Sequence, residues 1–131
     1  MLSFIFLSSC SSDDDNQPAP SVSSSISQGS WKITYFVDSG TDETGNFSGY
    51  SFQFNTNGTV SATKGATTVN GTWSDGNDNS HSKLELNFGT VPVFNDLNED
   101  WHVTMQNSTI IKLQHVSGGN GGTDILYFEK T

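Results

Sequence analysis

A chain of 131 residues with 14 acidic and 5 basic side chains, a net charge of −9 and a pI near 4.3 is sized for one domain. Five scattered lysines cannot neutralise a run of phosphates, which excludes nucleic acid as a partner and an anionic lipid surface as a direct one. A single cysteine, Cys10, excludes an internal disulfide, a redox pair and a cysteine-rich zinc site, and the excess of Ser, Thr, Asn and Gly over the 32% of hydrophobic residues is a sheet composition.

Residues 1–9, Met1 to Ser9, form an apolar run far short of the roughly 20 residues a membrane-spanning helix needs. They read as the end of a signal peptide, and since no Lys or Arg precedes Leu2 the true start is expected upstream. Leu7-Ser8-Ser9-Cys10 resembles the bacterial lipobox, in which an apolar residue and two small ones precede a cysteine that becomes the acylated first residue. The resemblance implies a lipid on Cys10 and a membrane as partner through that lipid. Ser11-Ser12-Asp13-Asp14-Asp15 looks like the tract that exports lipoproteins to the cell surface in Bacteroidetes-type bacteria, which implies an outer-membrane, surface-exposed location; a solvated acidic spacer is the alternative. Residues 10–27 are rich in serine and offer only Val22 and Ile26 as branched apolar groups, so they are expected to stay disordered as a tether. The seventeen residues after the cysteine would reach roughly 20–25 Å.

From residue 28 the hydrophobic pattern has period two. Trp31, Ile33, Tyr35 and Val37 share one face of a first strand, and Tyr50, Phe52 and Phe54 one face of a second. Asn57-Gly58 makes a tight turn into a strand near 59–64 with Val60 and Ala62 inward, and Lys64-Gly65 turns it back into a strand near 67–74 bearing Val69, Gly71 and Trp73. Residues 75–79 read as a loop, followed by Leu84, Leu86 and Phe88 in alternation. Beyond an irregular stretch around Pro92 come Trp101, Val103 and Met105, then Ile111 and Leu113. A glycine-rich hairpin tip at 117–122 leads to a closing strand over 124–130 with Leu126 and Phe128 inward. About eight short strands joined by hairpin-length connections predict an all-β fold, an antiparallel up-and-down barrel in which closure removes the exposed edges.

Gly29-Ser30-Trp31 looks like the Gly-x-Trp that opens the first lipocalin strand. The series Trp31, Phe52-x-Phe54, Asn57-Gly58-Thr59-Val60, Gly71-Thr72-Trp73, Trp101-x-Val103 and Leu126-Tyr127-Phe128-Glu129-Lys130 resembles the lipocalin-like domain of Bacteroidetes lipoproteins across 28–131. The resemblance implies a lipocalin-like barrel.

No stretch matches a nucleophile elbow, a zinc-protease helix or a phosphate-binding loop, so no enzyme and no cofactor are expected. His81, His102 and His115 lie far apart and read as surface or strand-end residues, and no metal is assigned. Asp75, Asn77 and Asn79 alternate as in a calcium loop, but Ser80 stands where its glycine belongs and Leu86 where its glutamate belongs. Asp96, Glu99 and Asp100 read as one solvated acidic loop. Four Asn-x-Ser/Thr sites, at Asn46, Asn57, Asn70 and Asn107, would matter only in a eukaryotic secretory setting, which the lipobox argues against.

The interior remains. Trp31, Phe52, Phe54, Trp73, Phe88 and Phe128 are expected as core, and Tyr35, Tyr50 and Trp101 as the wall of any pocket at one mouth. An eight-stranded barrel either packs solid or holds one small ligand. Two functions stay open: a surface-anchored module binding a small apolar or amphipathic molecule, or an interaction lipoprotein with a solid barrel whose acidic loops face an envelope protein.

Overall fold

The computed structural model describes residues 22–78, 81–116 and 122–131. The expected signal peptide (1–9), Cys10 and the first part of the tether lie outside the described residues, as does most of the glycine-rich tip. A short helix, α1 (Val22–Ile26), precedes nine strands: β1 (Trp31–Asp38), β2 (Thr41–Asp42), β3 (Ser51–Phe54), β4 (Thr59–Lys64), β5 (Thr67–Asp78), β6 (His81–Asn87), β7 (Glu99–Gln106), β8 (Ile110–Val116) and β9 (Thr123–Lys130). Two 3-10 turns, Thr44–Phe47 and Phe94–Leu97, sit in the longer connections.

Strand pairing runs β2-β1-β3-β4-β5-β6-β7-β8-β9, and β1 also pairs β9, so β1 and β3 to β9 close an eight-stranded antiparallel barrel with β2 as a two-residue appendage. With β2 set aside, every neighbour in the barrel is the next strand in sequence apart from the closing pair, the up-and-down order expected from hairpin-length connections. The seam between β1 and β3 is held by one pair, Trp31 with Phe52, whereas β1 and β9 pair from Trp31–Lys130 to Val37–Ile125. Beyond that single pair the backbone of β1 finds other partners: Phe36 N donates to Thr44 Oγ1 at 2.9 Å, and Glu43 N donates to the Phe36 carbonyl at 2.8 Å. The seam is thereby closed by the 41–47 segment, and Phe47 drops from it into the core.

Two expectations are corrected. The tether does not extend to residue 27, because Val22 and Ile26, four apart in Val-Ser-Ser-Ser-Ile, fall on one face of α1 and are both fully buried against the barrel. Trp31 locks this cap, its indole N–H donating to the Ile26 carbonyl at 2.8 Å. The loop expected over 75–79 is strand as far as Asp78, since β5 keeps its register with β6 through Asp75–Leu84 and Gly76–Lys83 to Asp78–His81.

The buried tryptophans act alike. Trp73 donates to the Asn55 carbonyl at 2.9 Å and Trp101 to that of Leu97 at 3.0 Å, so each indole ties a connecting segment onto the barrel while satisfying its own donor. Turns are built by short side chains: Asn57 Oδ1 accepts from Thr59 N and Oγ1, and Asn107 Oδ1 accepts from the same two groups of Thr109. Gly58, with φ of 92°, completes the first of these turns.

Candidate functional site

The strand order fixes two ends. α1 and the turns 55–58 and 107–109 gather at one, and the connections after β1, β4 and β6 gather at the other, where β8 ends and β9 begins.

The residues expected as a pocket wall, Tyr35, Tyr50 and Trp101, have different surroundings. A bulge in the β1–β9 pairing between Ile33 and Tyr35 puts two successive residues on the outer face, so Tyr35 points to solvent against Tyr127 at 5.3 Å and Phe36 takes the inward place. Tyr50 stands edge-on to Phe94 at 5.0 Å with the Lys64 ammonium over its ring. Trp101 is fully buried, 6.5 Å from Phe36. The expected core residues Trp31, Phe52, Phe54, Trp73, Phe88 and Phe128 are all buried.

The interior is a continuous series of touching rings. From one end to the other it runs Trp73, Phe54, Phe128, Phe52, Phe88, Phe94, Phe47, Phe36 and Trp101, mostly edge-to-face, with successive centroids 5.2 to 6.5 Å apart. Such spacing is van der Waals contact between successive rings. Phe36, Phe47 and Phe94 are the members that the sequence reading missed. Two cavities are surface grooves: about 460 Å³ between Ser23, Asn57, Asp75 and the edge of Trp73, and about 440 Å³ between Ser25, Gln28, Gln106 and Lys130. Both flank α1.

The chemistry is concentrated at the opposite end. The acidic residues Asp96, Glu99 and Asp100, expected in one loop, separate into three environments. Asp100 pairs outside with Lys83. Asp96 joins Asp38 and Glu43, and Glu99 joins His115 and Asp124, with the ligand atoms of each trio within 4.8 Å of one another. Burial, followed by the charges of Asp124, Asp96 and Glu43, raises the Asp38 carboxyl above its ordinary value. Burial also pushes Glu99 up to about 7, helped by a hydrogen bond with Asp124 and by the charges of Asp124 and Asp38. Asp42, exposed nearby, is lowered by the hydrogen bonds it accepts from Thr44 Oγ1 and N.

Asp124 is the one buried charged residue among the described residues, 3% exposed, and its Oδ1 accepts from Ser39 N at 2.8 Å. His115 Nδ1 lies 3.3 Å from Glu99 Oε1 and 4.0 Å from Asp124 Oδ2. His115 and Asp124 are cross-strand partners on β8 and β9, and Glu99 opens the adjacent β7. His102 is exposed on the outer wall.

No family model and no curated protein matches the chain. Among solved structures it is similar to a DUF4847 family protein from Bacteroides vulgatus, with a TM-score of 0.55, 17% identity and coverage of 84% of this chain and 97% of that one. The likeness is one of fold: an antiparallel barrel of the same class.

Proposed function

We propose that the chain is a lipid-anchored envelope module that works from the surface of a solid barrel, Cys10 carrying the lipid and the acidic end opposite α1 meeting a basic protein partner. The observation that carries this reading is the unbroken series of rings from Trp73 to Trp101, which occupies the volume where a barrel of this size would otherwise hold a ligand. With the interior taken, binding falls to the exterior. Acidic side chains cluster there, Asp38, Asp42, Glu43, Asp96 and Glu99 around the buried Asp124, and give that end a single-sign field. The lysines are engaged elsewhere: Lys64, Lys112 and Lys130 lie over Tyr50, Tyr127 and Trp31, Lys83 pairs with Asp100, and Lys32 stands opposite Glu129. Polarity also fits an anchor at the other end. The chain enters the barrel through α1, so a tether leading to Cys10 leaves from that end and the acidic end is directed away from the membrane.

The test is made in cells, with the chain expressed behind an intact signal. Cys10→Ala should move the protein out of the membrane fraction. A photo-cross-linker at Asn46, beside Glu43, should capture a basic envelope protein in a salt-sensitive manner, and the triple change Asp42→Asn, Glu43→Gln, Asp96→Asn should abolish that capture. Unchanged membrane association of Cys10→Ala defeats the anchor; undiminished capture by the triple variant defeats the acidic surface.

A further inference from the structure

We propose that Glu99, His115 and Asp124 form a binding site for a divalent transition-metal ion of the zinc type, set on three adjacent strands at the mouth of the barrel. The site is a mixed donor set, one imidazole nitrogen and two carboxylate oxygens; three protein donors leave a fourth position open, as in zinc sites that take an outside ligand, and the imidazole favours a transition metal over calcium or magnesium. Its three residues sit on β7, β8 and β9 rather than on a loop, so their Cα positions are held by sheet pairing.

The independent observation is the state of the polar atoms. His115 Nδ1 has essentially no solvent-accessible surface and makes no hydrogen bond, yet it faces two carboxylates. The Asp124 side chain is only 5% exposed; Oδ1 is held by Ser39 N, and Oδ2 is the oxygen directed at His115. Nδ1, Glu99 Oε1 and Asp124 Oδ2 thus converge on one point, where a cation would accept a lone pair from each, and a buried carboxylate gains most from such a cation.

The distances suit an ion. Donors about 2.0–2.2 Å from a tetrahedral metal stand about 3.3–3.6 Å apart. Of the three edges, Nδ1 to Glu99 Oε1 is already formed at 3.3 Å, Nδ1 to Asp124 Oδ2 at 4.0 Å closes by a few tenths of an ångström, and the two carboxylates offer oxygens within 4.8 Å of each other. The Ser39 N–H bound to Oδ1 plays the outer-shell part, orienting the carboxylate so that Oδ2 points at the ion. The trio Asp38, Glu43 and Asp96 is different: acidic only, half-buried, and without an orphaned atom aimed into it. It adds negative potential that draws a cation towards the mouth.

The alternative is that the hydrogen bond between Glu99 and Asp124 alone holds the three groups together, and titration with metal separates the two. The full chain, stripped with chelator, is titrated with Zn²⁺ and separately with Co²⁺, whose ligand-field absorption reports nitrogen and oxygen donors. One equivalent of either ion should bind with micromolar or tighter affinity, the two should compete, and Zn²⁺ should raise the melting temperature. His115→Ala should weaken binding by more than the roughly 10–100-fold that loss of an outer-shell partner costs, and in chelator it should melt close to the parent. Glu99→Gln serves as the second variant should His115→Ala fail to fold. Cys10→Ala, which removes the only thiol, and Asp75→Asn, at the far end, should bind as the parent does. Absence of saturable binding overturns the site, as does an affinity that His115→Ala and Glu99→Gln leave unchanged.

Discussion

Replacing Gly71 by alanine adds one methyl group where the barrel has no space for it. Gly71 lies on β5 opposite Val60, two residues before Trp73, and therefore on the inward face. An added Cβ would stand 2.6 Å from the Asn87 carbonyl oxygen and 2.7 and 3.0 Å from Cδ1 and Cε1 of Phe88, each well inside van der Waals contact. Neither neighbour can yield cheaply. Asn87 is fixed by its pairing with Thr72, and the Phe88 ring is wedged between Phe94 at 5.3 Å and Phe52 at 6.3 Å. Overpacking of this kind costs about 1–3 kcal/mol. At about 4 °C per kcal/mol for a domain of this length, the melting temperature should fall by about 4–12 °C. Phe88→Leu, which removes the ring, should be costly alone but less than additive with Gly71→Ala, leaving only the clash with the carbonyl; a coupling of about 0.5 kcal/mol or more is expected from groups in contact. Melts followed by circular dichroism measure all three. A Gly71→Ala protein melting within about 1 °C of the parent would show that the β5–β6 wall is loosely packed and refute the reasoning.

Further outcomes follow from the same contacts. Phe36→Ala should lose about 3–5 kcal/mol in urea denaturation while Tyr35→Ala stays within about 1 kcal/mol, and the reverse ranking would contradict the bulge that separates them. Val93 holds a φ of 72°, which a β-branched side chain adopts only under strain, and it is 39% exposed, so Val93→Gly should be neutral or stabilising by up to about 1 kcal/mol; a loss larger than that would mean that the strain is absent. In chelator, Glu99 supplies a pH dependence of definite sign: its folded value of about 7 lies above the ordinary 4.5, so between the two the folded chain holds the proton that the unfolded chain has lost. Its contribution is fully present below about pH 4.5 and is lost as pH rises through about 7, a slope in urea midpoints that Glu99→Gln should flatten.

The walls of the barrel were legible because strand faces alternate. Phe52 and Phe54, Val60 and Ala62, Leu84 and Leu86, and Leu126 and Phe128 each announce an inward face by spacing alone, and all are buried. Period two fails wherever the backbone adds or drops a residue. Nothing in Trp-Lys-Ile-Thr-Tyr-Phe-Val marks the bulge that turns Tyr35 out and Phe36 in, because both are aromatic and either fits a strand. Phe47, Phe94 and Leu97 belong to 3-10 turns in irregular connections, where no periodicity exists to read; their size among smaller neighbours was the available signal. Val22 and Ile26 carried an i, i+4 signature too short to stand out from the serines around it. The Glu99, His115 and Asp124 trio was invisible for a topological reason. Its members sit at separate points of the sequence and meet only because β7, β8 and β9 are neighbours, while the sequence itself groups Glu99 with Asp96 and Asp100, which point elsewhere.

Whether the barrel interior is closed to ligands is decided by tryptophan emission, because Trp73 and Trp101 end the series of rings and Trp31 is buried beside the cap. Fatty acids, retinoid-like compounds and haem-like compounds are titrated into the full chain while emission and melting are followed together. A packed interior predicts no saturable quenching and no change in melting temperature with any of them. Saturable quenching, accompanied by the stabilisation of about 2.7 kcal/mol that a guest confers at one hundred times its Kd, would contradict it and return the function to the inside of the barrel.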